Sequence, residues 1–521
     1  MKKFTVLIII SFIVCHAVHA QVIFQKIYRG AGYSASFCNS VETTSDSGYI
    51  IAGSYLSSGS SDACITKTNF SGDVEWSETF GELLSENIFS IKQTANGSYV
   101  VAGTSRSFSV DSLNEFYILQ LSSSGNVDWE KIYGSLAGTY EVGAHRINQT
   151  SDGGFIIGGY EDALVGMLYL KTDADGTISW GKFIYGSIGT YGVESIRQTS
   201  DGGYIITGNG GKLIKTDASG NITWSKSYIN SAMSYCAQQT SDGGYMLAGE
   251  TNVYGSGGTD MYLIKTDSSG NVLWCKTFGG TLNDNLRAAE QTSDGGYILG
   301  GNTYSFGAGN TDIYVVKTDS AGNLLWSKTY GSTGDELGFS VGETSAGGFI
   351  IAGQTNSFGS GAYSAYLIRT DATGASGCNE STPLTLVTSP VVVAVTLSET
   401  AIDYIPDTDT PVSSIGGGLT EEQLCLSFPT SLTEAGSEEN NFSIAPNPAT
   451  DYCTIIFDKI INEGKIEFYD VLGIPIAIGT EKINNALGKE IHLKNISSGI
   501  YFVKVFEGEK FCCKKIVIEK N

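Results

Sequence analysis

Carboxylates are the groups in this sequence most available for chemistry. The 521 residues include 54 Asp and Glu against 31 Lys and Arg. Asp260, Asp284, Asp312, Asp335 and Glu86 fall beside long Gly/Ser-rich stretches at 104–113, 251–258, 302–310 and 355–361. Each stretch carries an aromatic within polar residues, namely Phe108, Tyr254, Phe306 and Phe358. Aromatic faces beside carboxylates that accept hydroxyl hydrogen bonds suit a glycan or a protein ligand. Carboxyls about 5 Å apart would suit a retaining glycosidase, and wider ones an inverting enzyme or a lyase, but the spacing singles out no pair. The competing reading is that the Ser-Phe-Gly segments only plug neighbouring loops. Four histidines are present, two of them within the first 20 residues, and none of the ten cysteines forms a C-x-x-C pair. No zinc or haem site, no cofactor and no histidine-based catalytic set in the repeat region is therefore expected.

The elements that must position these groups come from a phrase used seven times. It reads T-S-D-G-G-Y-I-I-x-G in its clean copies and is anchored at Thr44, Thr94, Thr150, Thr199, Thr240, Thr292 and Thr344, at spacings of 50, 56, 49, 41, 52 and 52 residues. Four short strand signals per period predict an all-β, seven-bladed β-propeller over 21–378. In the copy at 286–330, Asp294 and the two glycines after it make one tight turn, and Asp319 with Gly322 makes another. The D-x-x-G-N stretches read as turns, because the further acids of a calcium loop are missing.

Trp76, Trp129, Trp180, Trp224, Trp274 and Trp326 each stand seven residues after the second turn's first residue, which reads as a blade-docking position. The seventh Trp is absent, and Phe24 in the N-terminal strand matches its slot. That strand is expected to close the last blade as its outermost strand, with the Gln-Thr strand innermost. The position four before each anchor is mostly small, as crowding near an axis requires. Arg146, Arg197 and Arg287 fall on the innermost strands at three different offsets from the anchor, so the sequence does not require them to converge.

The ends carry separate signals. Lys2, Lys3, the apolar run 4–14 and Val18-His19-Ala20 read as a signal peptide over 1–20. No transmembrane segment is expected. Without those 20 residues the charge is −25 (29 bases, 54 acids). Residues 441–521 are neutral, with ten acids and ten bases, so the acidity belongs to the repeats and the segment after them. Such a field disfavours nucleic acid and anionic membranes. Residues 379–440 hold five prolines where 21–378 hold none, and read as an ordered extension followed by a flexible linker. Cys378 and Cys425 bracket it and could pair in an oxidising compartment. Cys64, Cys236 and Cys275 read as small strand residues.

The last segment, 441–521, contains F-S-I-A-P-N-P-A-T-D from Phe442, I-E-F-Y-D-V-L-G from Ile466, L-K-N-I-S-S-G-I-Y-F-V-K-V from Leu493 and K-K-I-V-I-E-K from Lys514. Its alternating strands and Asn/Gly turns predict a small β-sandwich. It resembles the type A C-terminal sorting domain of the type IX secretion system, a family of Bacteroidota. That resemblance implies passage across the outer membrane, removal by a sortase, and attachment to anionic lipopolysaccharide or release. The repeats also resemble those of secreted Bacteroidota propeller proteins, a likeness that carries no activity. The resulting expectation is an exported surface or secreted protein that binds or adheres to glycan or protein, with a carboxylate-based hydrolase or lyase as the alternative.

Overall fold

The computed structural model describes residues 22–427 except 31–34, 57–59, 109–111, 135–140, 163–165, 186–191, 360, 405, 410–413 and 418–419. It also describes 442–520 except 447–448, 470–475, 477–480, 494–495, 497–498, 508–509 and 519. The described residues form strands and turns without helix. No helix is long and apolar enough to cross a membrane. The signal-peptide reading of 1–20 lies outside the described residues.

The chain divides into two compact units, one of which is 22–427. In it, each copy of the repeat makes an antiparallel meander. The copy around Thr292 gives Asp284–Gln291, Tyr297–Thr303, Asp312–Thr318 and Leu324–Tyr330. Their order in the sheet is their order in the chain. Seven such sheets are present among the described residues. Their first strands, from Ala35–Thr43 to Glu336–Glu343, touch in sequence order, and the last returns to the first. The propeller-like cycle closes because Ile23–Arg29 pairs with Ser364–Arg369, joining the chain's start to its last repeat.

Three side chains cooperate across five of the seven sheets, the first using Lys67 and Asp46, whereas the seventh copy has Ala346 in the Asp position. The Thr292 hydroxyl donates to Asp294 (2.6 Å), and the Gly296 N–H donates to the same carboxylate oxygen (2.9 Å). Lys317, on the third strand, reaches this carboxylate at 2.9 Å and donates to the carbonyl of Thr318. Lys171–Asp152, Lys215–Asp201 and Lys265–Asp242 repeat the pair. The copy with Asn96 in place of Asp carries Gln120 in place of Lys, so both charges are lost together.

The docking positions have a uniform surrounding. Trp274 lies 5.8 Å from the Tyr297 ring of the next sheet, and Phe24 lies 6.1 Å from Tyr49. Trp76, Trp129, Trp180, Trp224 and Trp326 meet Tyr99, Phe155, Tyr204, Tyr245 and Phe349 in the same way. Beneath Trp274 is Gly322, at φ 74–79° like its counterparts Gly270 and Gly374, where a Cβ would meet the ring at 2.7 Å.

The outer edge differs from the sequence reading. The Trp strands, and Ile23–Arg29, are fourth of five rather than outermost. From residue 380 the chain runs back around the ring in reverse, adding one short strand to each sheet. Glu380–Ser381, Leu386–Thr388, Val395–Thr396, Ala401–Asp403, Asp407–Asp409, Ser414–Gly417 and Thr420–Ser427 pair in turn with the outer strands of the sixth to first repeats and finally with Ile23–Arg29. The physical reason is that seven bare fourth strands would present unpaired peptide groups. The strap covers them and is pinned by Lys212–Glu399 (2.5 Å) and Lys182–Asp403 (2.6 Å).

Cys378, where the strap begins, is disulfide-bonded. The Cys425 backbone lies opposite Gln25, whose amide donates to the Cys378 carbonyl, but the Cys425 side chain lies outside the described residues. Cys64, Cys236 and Cys275 are free thiols.

In the second unit, Tyr452–Tyr469 is the hub. It pairs with Phe442–Ala445, Glu481–His492 and Gly499–Glu507, and Lys510–Ile518 completes the sheet. Phe442, Ile455, Phe468, Val503 and Ile516 meet in its core.

Candidate functional site

The acids predicted for ligand binding are turned inward. Asp260, Asp284 and Asp312 are at most 1% exposed, and Glu86 is fully buried. Asp312 accepts the N–H groups of Ala308 and Gly309 (both 3.1 Å), and Asp260 accepts that of Ser256 (3.0 Å). Asp284 accepts the Gly280 N–H (2.6 Å) and the Ser305 hydroxyl (2.8 Å). Asp335 is half-buried and accepts the Thr311 hydroxyl at 3.1 Å. Burial pushes the Asp260 and Asp312 carboxyls up to about 6. These groups hold the long loops against the connections between sheets.

The aromatics do similar work. Phe306 packs on Tyr314, Phe358 on Tyr366 and Phe108 on Tyr117, at 5.7, 5.9 and 6.0 Å between ring centroids. Tyr254 packs on the core of its own sheet. The eight predicted residues thus stand on neighbouring loops, but each is engaged within its own sheet or its neighbour.

A different set of side chains converges on the axis. Every innermost strand breaks register at one residue, five before its anchor Thr. The residues passed over are Asn39, Phe89, His145, Glu194, Tyr235, Arg287 and Phe339. A β-bulge leaves one residue unpaired and re-aims its side chain. Here all seven line one cavity of about 390 Å³, together with Arg146 and Met233. The bulges lie toward the strand ends that follow the inter-sheet connections, so the cavity opens on the long-loop side. A second cavity of about 210 Å³ shares part of this lining and adds Arg197, Lys92, Glu42, Glu290 and Glu343. The three arginines therefore line one continuous space despite their unequal offsets, because neighbouring innermost strands present different depths of the same axis.

In five of the seven repeats the residue after the bulge stitches the ring. Ser40, Ser90 and Ser340 accept the N–H groups of Ile91 (3.3 Å), Ile147 (3.4 Å) and Val41 (3.3 Å) on adjacent innermost strands. Cys236 accepts that of Ala289 at 3.1 Å. Smallness at this position thus has a hydrogen-bonding reason as well as a steric one. Arg146 stands where the serines stand elsewhere and reaches into the cavity.

The outer cavity sets Arg146 and Arg287 against one carboxylate, Glu194, and over both cavities four bases face four carboxylates. Lys92 pairs with Glu42 at 3.1 Å. Among the described residues, no carboxylate lies within 4.0 Å of the Arg146, Arg197 or Arg287 guanidinium groups. Arg287 lies over the Tyr235 ring at 5.0 Å, and the Tyr235 hydroxyl donates to Glu250 (3.1 Å). His145 Nδ1 is 3.5 Å from Glu194 Oε1. Burial alone would raise the Glu194 carboxyl, but His145, Arg146 and Arg287 hold it below its usual range. The repeat region does hold one histidine: His145 is in the ring, between Phe89 and Tyr160. The sequence signal for this site was the position five before the anchor, which differs in nearly every copy.

Comparison with known proteins adds one firm point. Residues 443–519 match the family of the secretion system C-terminal sorting domain. The C-terminal segment is a sorting domain of the type IX system. Such a domain engages the secretion machinery and directs export to the cell surface or the extracellular space. No curated protein matches the chain. Among solved structures, YCF48 bound to D1 peptide is 12% identical, with 66% of this chain and 94% of that one covered and a TM-score of 0.38. The extracellular domain assigned to the hybrid two component system BT3049 from B. thetaiotaomicron is 12% identical, with 93% and 68% covered and a TM-score of 0.22.

Proposed function

We propose that residues 22–427 form a seven-bladed β-propeller that binds an extracellular ligand in its axial cavity. Residues 443–519 bring it there through the type IX secretion system and fold as a small sandwich. The observation that carries this reading is the ring of bulges. Seven copies of one strand share a backbone irregularity that aims seven side chains at one space, and those side chains are of six different types. A purely structural ring would reuse one residue type, as the turn Asp and the docking Trp do. Pockets of this size with apolar walls and a few convergent polar groups are where ligands bind. The loop acids support binding indirectly, by fixing the rim. Their burial argues against a carboxylate-based hydrolase, since a substrate would have to displace the loops to reach them.

The test is a glycan array and a pull-down of secreted proteins with the mature chain, its Phe89→Ala/Phe339→Ala variant and an Asn39→Trp variant that fills the mouth. Loss of the captured ligand in both variants, with unchanged melting points, is the expected outcome. Capture unaffected by either would place binding elsewhere, first of all on the outer loops around Phe306 and Phe358.

A further inference from the structure

We infer that the axial cavity takes a carboxylate borne on a saccharide ring, with Arg146 and Arg287 as the groups that hold the carboxylate. The inference rests on the axial-cavity reading and specifies its ligand.

Three observations carry it. The first is charge. The chain carries a large negative excess, yet its outer cavity holds Arg146 and Arg287 against a single carboxylate, Glu194. Two guanidinium groups facing one carboxylate in a partly enclosed space favour an anionic guest, and a guanidinium fork matches a carboxylate through two parallel hydrogen bonds. Arg146 and Arg287 both line the outer cavity, whereas Arg197 lies only in the second one. Glu194 sits in the same ring and answers part of their charge, but it is engaged by His145. Arg287 is further fixed by the Tyr235 ring beneath it.

The second observation is the wall. Phe89 and Phe339 present half-buried aromatic surface to the cavity, Tyr235 lines it as a buried ring, and Asn39 adds an amide. Flat rings beside an amide and a phenol suit a body with one apolar face and hydroxyls around its edge, which describes a pyranose. The third is the backbone. The innermost strands pair in their sheets on one edge only, and on the other the N–H groups of Val41, Ile91, Ile147 and Ala289 are already held by Ser340, Ser40, Ser90 and Cys236. That disfavours an extended peptide, which relies on main-chain pairing. A space of about 390 Å³ is of mono- or disaccharide size.

The experiment is calorimetric titration of the mature full-length chain with digalacturonate, its dimethyl ester and inorganic phosphate. It is repeated on Arg146→Gln, Arg287→Gln, Arg197→Gln and Asn39→Trp variants whose melting curves match the parent. Digalacturonate is expected to bind, the ester to bind at least about tenfold more weakly, and the Arg146 and Arg287 variants to lose at least about tenfold in affinity, with a smaller loss for Arg197→Gln. No response to digalacturonate at millimolar concentration overturns the assignment. Equal binding of acid and ester, unaffected by the arginine variants but abolished by Asn39→Trp, overturns the carboxylate while leaving the axial cavity in place. Displacement of digalacturonate by equimolar phosphate reduces the site to an unselective anion trap and also overturns it. Binding of digalacturonate that survives Asn39→Trp removes the axial-cavity reading itself.

Discussion

Arg287 lies across the ring of Tyr235, its guanidinium carbon 5.0 Å from the ring centroid. The two residues are bulge positions of consecutive repeats, on innermost strands that touch. Their contact exists only because the sheets are arranged radially, and it prepositions a charged side chain at the cavity mouth. The same geometry governs what should happen when the molecule is perturbed.

The Lys317–Asp294 pair should behave as a unit. Asp294→Asn strands a nearly buried ammonium, and a loss of about 1–3 kcal/mol is expected. Adding Lys317→Gln should recover part of that loss, since it recreates the Asn96/Gln120 combination already present in another repeat. Denaturant midpoints of the two single variants and the double variant decide this. Strict additivity would show that the two groups act independently.

Stability should pass through a maximum in mild acid. Against the penalty of burial, Lys215, Thr199 and Gly203 hold Asp201 down to about 2. Asp242 and Asp294 are held to the same value by their own Lys and Thr partners, and Asp152 by Thr150 first. A depressed carboxyl contributes stability above its unfolded value of about 4 and loses it as pH falls toward 2. Asp260 and Asp312 are raised to about 6 by burial, so their contribution is present below about 4 and lost as pH rises through 6. Urea midpoints at constant ionic strength should therefore rise from pH 7 to about 5 and fall below about 4. A monotonic profile would contradict this assignment of opposing groups.

Trp274→Ala should cost about 3–5 kcal/mol, as for other large aromatic truncations. The ring fills the space between Tyr297 and Gly322 of the next sheet. An unchanged melting temperature would remove the docking role.

Ending the chain at residue 379 should produce soluble aggregates or a large drop in melting temperature. Every outer strand would become an open edge. Cys378→Ser should have a smaller effect in the same direction. We propose Cys425 as its partner, and peptide mapping under non-reducing conditions tests that directly. A monomeric, fully stable truncation would show the strap to be dispensable.

Deleting 441–521 should leave the propeller in the periplasm of a host that carries the secretion system. Cell fractionation reads this out, and normal surface delivery would contradict a sorting role for the segment.

Much of this protein was legible before folding. The period near fifty residues, the turn Asp and Gly, the Trp at a constant offset and the Phe24 substitute are local or repeated features, and each is dictated by backbone conformation or by one recurring contact. The sorting domain was legible because its motifs are linear. The strap was only half visible, since two- and three-residue strands carry too little pattern to declare their partners, and their pairing depends on edges supplied by distant repeats. The loop acids and aromatics were visible, but their orientation was not: whether Asp312 faces solvent or the N–H groups of Ala308 and Gly309 is decided by loop closure. The candidate site itself was set by tertiary structure alone. Asn39 and Phe339 are three hundred residues apart in the chain, and seven residues of six types become one ring only when a radial fold places the same strand position of every repeat on a common axis.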